Sequence, residues 1–138
     1  MDNIHALFLN KKLKFLKKFN HKRKNLSKLY QKKLHDNTDI ELPVIRKDSE
    51  HTYHQYVIKV KKNREGLINY LKNKNIETSI HYPKMVISLK PYKKHINKNE
   101  FINCLKDEKS ILSVTMHPFL TEKEISFVCK NINSFFKK

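Results

Sequence analysis

Glycine is nearly absent from this 138-residue chain, which has only Gly66. A loop that cradles phosphate through its backbone needs several glycines, so no glycine-rich nucleotide loop can be built here. Tryptophan is missing, and cysteine is limited to Cys104 and Cys129, far apart in the chain. That spacing excludes a disulfide framework and a cysteine-based zinc site. Acidic residues are also scarce, 13 against 30 lysines and arginines. No grouping of His, Cys, Asp and Glu has metal-ligand spacing. No apolar run approaches the about 20 residues that cross a bilayer. The first apolar stretch is broken by Lys11 and Lys12, and no signal-peptide pattern is present. Together these absences predict a reduced, cytoplasmic setting without a membrane span.

What is abundant is positive charge, a formal net +17. Only Arg23, Arg46 and Arg64 are arginines; the other 27 basic residues are lysines, scattered along the whole chain. A phosphate-reading surface favours arginine, whose planar fork binds bidentately. Lysine, asparagine and isoleucine together are what an AT-rich coding sequence yields. The charge is therefore read as composition and solvated surface. The alternative reading is a basic module for nucleic acid or an anionic surface. It lacks an arginine-and-aromatic stripe and any nucleic-acid motif, so no specific nucleic-acid partner is expected. Charge of this size still gives salt-dependent binding to any polyanion, without sequence preference.

Apolar residues recur at three- and four-residue spacings from Ile4 to Leu34, which predicts one long helix over residues 1–35 with a mostly lysine outer face. Asp36 to Asp39 is a turn cluster. Leu42 to Ile45 is a short extended piece that Pro43 keeps at an edge. Tyr53 to Val60 is rich in β-branched and aromatic residues and predicts a strand, with His54 packed in its middle. Asn63 is placed to cap a helix over 64–74, with Leu67, Ile68 and Leu71 facing inward. Ile76 to His81 predicts a second strand, ended by Tyr82-Pro83. Residues 84–96 read as irregular, with a short helix near 98–107 after them. Ser110 to Thr115 predicts a third strand. Thr121 caps a last helix with Glu122 and Glu124 in its first turn and Lys137 and Lys138 at its end. The order predicts an α/β fold of two layers: a long helix, then a sheet of three or four strands with helices packed against it.

Four segments carry a resemblance. Met1-Asp2-Asn3-Ile4-His5-Ala6 is similar to a helix start that usually reads Met-Asp-Asn, a hydrophobic residue, Gln, Ala. His51-Thr52-Tyr53-His54-Gln55-Tyr56-Val57-Ile58 is a strand motif. Leu71 to Pro83 closes on Ile80-His81-Tyr82-Pro83. Ser113 to Ile125 contains Met116-His117-Pro118-Phe119-Leu120-Thr121-Glu122. In this order and spacing they resemble the C-terminal part of the DegT/DnrJ/StrS family of sugar aminotransferases, which use pyridoxal phosphate (PLP). Asn75 stands where the family usually has glycine, and Thr115 where it has proline. Met85-Val86-Ile87 replaces a Pro-x-His element, and His5 replaces the glutamine.

The resemblance implies the small domain of a fold-type I PLP-dependent transferase. Residues 1–36 would link to a large domain, and residues 37–138 would form the small one. The family's cofactor lysine, pyridine-pairing aspartate and stacking aromatic belong to the large domain. The chain is accordingly expected to be a C-terminal domain or fragment that binds no PLP by itself and has no catalytic residue. His81 and Tyr82, at a strand end, are the expected contacts to a nucleotide-linked sugar. The implied parent enzyme moves an amino group from glutamate to a keto nucleotide-sugar and is a homodimer. A complementary N-terminal chain is the implied partner. A further alternative is a structural or regulatory partner of a full-length relative. His117, next to Pro118 in a turn, reads as structural.

Overall fold

The computed structural model describes residues 2–92 and 97–137, without the side chain of Lys98. Met1 of the first motif, Lys138 of the predicted basic helix end, and positions 93–96 of the irregular stretch lie outside the described residues.

The predicted single helix is two. Helix α1 runs Asn3–Leu13 and α2 runs Leu16–Leu34. Phe15, with φ −102 and ψ −3, lies between them at the N-cap of α2. The break follows from packing. Leu26, Tyr30 and Leu34 of α2 lie at four-residue steps and are buried, whereas α1 buries nothing. Phe15 stacks on Phe19 at 6.1 Å, and Phe19 meets Phe119 edge-on at 5.4 Å. These contacts hold the turn to the body.

The strands are β1 (Ile40–Glu41), β2 (Tyr56–Val60), β3 (Thr78–Ser79) and β4 (Ile111–Val114). They form one sheet of order β1-β2-β4-β3 with every neighbour antiparallel. The predicted edge strand is displaced: Ile40 and Glu41 pair with β2, and Leu42 to Ile45 follow without regular structure. Strand β2 starts three residues later than expected. Tyr53 adopts φ 50, a left-handed conformation that cannot continue a ladder, and its N–H goes to His51 Nδ1 at 2.8 Å. His54 consequently lies at an exposed bend, not packed mid-strand. The second predicted strand shrinks to Thr78–Ser79.

Helices α3 (Arg64–Lys72), α4 (Ile102–Ser110) and α5 (Glu122–Phe136) complete the fold. Asn63 caps α3, its side chain accepting from Gly66 N–H. Thr121 and Glu124 form a reciprocal capping box on α5. Helices α2, α3 and α5 pack over the sheet face that presents Tyr56, Ile58, Val60, Leu112 and Val114. Register puts Val57, Lys59, Ile111 and Ser113 on the opposite face. There Lys59 Nζ lies 2.6 Å from Asp107 of α4. The architecture is the expected α/β arrangement with a four-stranded sheet, its main helical layer on one face and α4 on the other.

The core centres on tyrosines. Tyr30 and Tyr56 are fully buried and stacked at 4.5 Å, and Tyr53 stacks on Tyr56 at 5.9 Å. Cys129 is buried beside them, and burial pushes its thiol up to about 12. Cys104 is exposed. Tyr30 Oη donates to the Thr115 carbonyl at 2.9 Å, while Tyr56 Oη is buried without a hydrogen-bond partner among the described residues. The two hydroxyls should therefore respond oppositely to removal. Tyr30→Phe is expected to cost about 1 kcal/mol, and Tyr56→Phe to be neutral or stabilising, because an unpaired buried donor carries only its desolvation penalty. Urea unfolding of both variants measures this. An equal loss in Tyr56→Phe would contradict the assignment of an unpaired hydroxyl.

Candidate functional site

Strand β3 sits at the sheet edge, with Thr78 opposite Val114 and Ser79 opposite Ser113. The chain reaches it from α3 through Asn75, whose φ of 56 turns the backbone back toward the sheet. Asparagine tolerates that left-handed conformation better than most residues with a side chain. Beyond Ser79 the chain leaves the ladder, and His81 and Tyr82 follow at once. The peptide bond between them is cis.

His81 is half-buried, and its Nδ1 lies 2.9 Å from Ser113 Oγ on the neighbouring strand. Ser113 is itself buried, so the imidazole has a fixed orientation and its other nitrogen is left for a second partner. Tyr82 is 71% exposed, its ring perpendicular to that of His81 at 5.8 Å. The two side chains therefore differ. His81 faces a broad concavity of about 1480 Å³ at the β3 edge, and Tyr82 is not among its lining residues. His54 and Gln55 also line it, together with Thr78, Ser79, Thr115 and Met116. His117 is exposed, and its Nδ1 accepts from Phe119 N–H at 3.2 Å, a turn contact in keeping with a structural part.

Two carboxylates support this edge from α4. Glu108 Oε2 accepts from Met85 N–H at 2.9 Å and from Ser88 Oγ at 2.6 Å. That clamps the short 3₁₀ turn Val86–Ser88 just after Tyr82-Pro83. Asp107 ties the same helix to β2 through Lys59. Arg64 donates to the carbonyls of Glu108 and Ile111, holding the end of α4. Neither Ser113 nor Glu108 stands out in the sequence. Each acts across twenty residues or more, and no local pattern marks such a contact. Among the described residues, no group of three His, Cys, Asp or Glu could hold a metal, and no helix is long and apolar enough to cross a membrane.

The Ser88 hydroxyl and the Met85 N–H hold the Glu108 carboxyl below its ordinary range. A lowered folded-state value means that the clamp contributes above the ordinary carboxylate range and is lost as pH falls through the folded value. Glu108→Gln is expected to speed amide exchange at Met85 severalfold at neutral pH. Acidifying the unsubstituted protein should lower the Met85 protection factor, the rate relative to that of a free amide at the same pH, toward that of the variant. Exchange measured by NMR checks both, and an unchanged Met85 rate in Glu108→Gln would remove the clamp.

Comparison with known proteins agrees with this architecture. A model of the DegT/DnrJ/EryC1/StrS aminotransferase family matches residues 1–133. The chain is 28% identical over 135 residues to the dTDP-3-amino-3,6-dideoxy-alpha-D-galactopyranose transaminase of Aneurinibacillus thermoaerophilus, covering 98% of this chain and 36% of that protein. It superposes on S. venezuelae DesV, solved in complex with a ketimine intermediate, with a TM-score of 0.93 at 22% identity, covering 100% of this chain and 37% of DesV. A DegT DnrJ EryC1 StrS aminotransferase from Brucella abortus gives a TM-score of 0.84 at 27% identity, over 100% of this chain and 36% of that one. The chain thus spans about a third of the length of the relatives it matches. It belongs to the DegT/DnrJ/EryC1/StrS aminotransferase family.

Proposed function

We propose that this chain works as the small domain of a PLP-dependent sugar aminotransferase, contributing one wall of the site that receives a nucleotide-linked keto-sugar. In this reading residues 1–36 lead to the large cofactor-binding domain, and residues 37–138 form the small domain. The amino group comes from glutamate, and the working enzyme is a homodimer. The observation that carries the reading is the family match over residues 1–133 together with His81, held by buried Ser113 at the rim of the concavity. Tyr82 stands beside it with its ring open to solvent.

PLP supplies an electron sink once a lysine amine and an acid on the pyridine nitrogen hold it. The concavity does not meet that demand by itself. Its lysines, Lys72 and Lys123, are exposed. Of its carboxylates, Glu77 is exposed and Glu124 is taken up by the cap of α5. The concavity is also wider than the about 300–1,000 Å³ of a closed ligand pocket. In this reading the cofactor lysine and its acid come from another body, N-terminal in the same polypeptide or on a complementary chain. This chain's part is to orient and enclose the sugar.

Two measurements test this. Borohydride trapping of the 138-residue chain with PLP, followed by peptide mapping, is expected to give only scattered, substoichiometric labelling of surface lysines. One stoichiometric pyridoxyl-lysine would overturn the division of labour. Titration with dTDP-glucose, followed by NMR, is expected to shift the His81 ring resonances with weak affinity. Shifts confined to the lysine-rich helices would overturn the placement of the sugar site.

A further inference from the structure

We infer that Ser113 is a positioning residue that keeps the proton of neutral His81 on Nε2, so that His81 meets its ligand as a hydrogen-bond donor. Sheet register creates the contact. Ser113 of β4 stands opposite Ser79 of β3. His81 lies two residues beyond Ser79, and a two-residue step returns a side chain to the same face of a strand. Its ring thereby reaches back to Ser113, with Nδ1 2.9 Å from Oγ. The Tyr82 ring, perpendicular at 5.8 Å, flanks the imidazole.

Two directions are open to that bond. Either the hydroxyl donates to a lone pair on Nδ1, or an Nδ1–H donates to the hydroxyl oxygen. Burial decides between them. Ser113 is only 6% exposed, and His81 is the one hydrogen-bond partner of its hydroxyl among the described residues. With Nδ1–H as donor, the hydroxyl proton would be buried without an acceptor and would carry its full desolvation penalty. The hydroxyl therefore donates, and Nδ1 accepts through its lone pair. A neutral imidazole then carries its proton on Nε2. Nε2 makes no hydrogen bond among the described residues, and His81 lines the concavity. In this form Nε2 has no lone pair with which to take a proton from a ligand; it can only donate to an oxygen. The inference rests on the sugar-site reading for what occupies the concavity, and it narrows the atom facing His81 to an acceptor oxygen. A nucleotide-linked keto-sugar offers that chemistry from two sources, its phosphates and its sugar.

The ring-nitrogen chemical shifts of His81 test this. They are read by long-range proton–nitrogen NMR on the 138-residue chain with the imidazole neutral, and assigned by their loss in His81→Asn. Nε2 is expected at the position of a protonated nitrogen. Nδ1 is expected at that of a lone-pair nitrogen, displaced by the bond it accepts. In Ser113→Ala that displacement should vanish, and both nitrogens should move toward the averaged positions of an imidazole exchanging between tautomers. Ser113→Thr, which keeps a hydroxyl and suits a strand, should restore the single form. A protonated Nδ1 in the unsubstituted chain would reverse the bond and overturn the inference. So would a His81 spectrum that Ser113→Ala leaves unchanged. Titration with dTDP and with dTDP-glucose then separates the acceptors. A shift of Nε2–H with both probes assigns a phosphate oxygen, and a shift with dTDP-glucose alone assigns a sugar oxygen. The tautomer is read on the free chain, so a protonated Nε2 that answers to neither probe upholds the role of Ser113 and counts against the sugar site instead.

Discussion

The rest of the fold depends on Tyr30. Its ring fills the centre of the core against Tyr56, and its hydroxyl reaches the Thr115 carbonyl, just past the end of β4. One side chain therefore fixes α2 against both central strands. Helix α5 packs on α2, and α3 packs on α5, so the helical layer takes its place from that contact. Burial pushes the phenols of Tyr30 and Tyr56 well above their ordinary range, which keeps both neutral wherever the fold is stable. With two neutral tyrosines at the centre, the core carries no charge, and the lysines are left to the surface.

Scarcity of glycine shapes the connections. The chain turns through left-handed conformations at Tyr53, Asn63 and Asn75, and none of the three is glycine. Asparagine fills two of these positions because its short polar side chain can bond locally. At Asn63 that bond is the cap of α3. The only glycine lies in the first turn of the same helix, where a Cβ on Gly66 would displace the capping side chain of Asn63. Tyr53 is the exception in residue type, and there the local bond runs from its own N–H to His51 Nδ1. A bulky residue tolerates φ 50 there because its ring is buried between His51 and Tyr56. Stacking on near neighbours in the chain thus overrides a backbone preference, and β2 is shortened as a result.

Much of this was legible in the sequence, for reasons that explain the remainder. Helices α3 and α5 and strand β4 follow from periodicity and from caps within three residues, so they were placed to within about two residues. The family and the α/β architecture were legible from motifs at fixed spacing. The break between α1 and α2 was not, because apolar spacing alone cannot say that Leu26, Tyr30 and Leu34 face this core while Ile4 and Leu7 do not. His54 was misplaced because strand propensity at Tyr53 to Gln55 gives no warning of a left-handed Tyr53. His81 could be singled out by resemblance. Its anchor Ser113 and the Glu108 clamp could not, since each contact is created by the sheet and by α4.

The candidate site and α1 make different physical demands. The His81 edge is braced from within: Ser113 beneath the ring, Glu108 behind the following turn, and Arg64 and Lys59 holding α4 in place. Every group in that chain of contacts belongs to the described fold, so the edge keeps its shape without outside help. A braced wall suits orienting a ligand, because little ordering remains to be done when the ligand arrives. Helix α1 has no such bracing, since none of its residues is buried. The domain therefore separates a preformed wall from a helix that the described fold leaves uncovered. The boundary between them falls at Lys14 and Phe15, between α1 and α2.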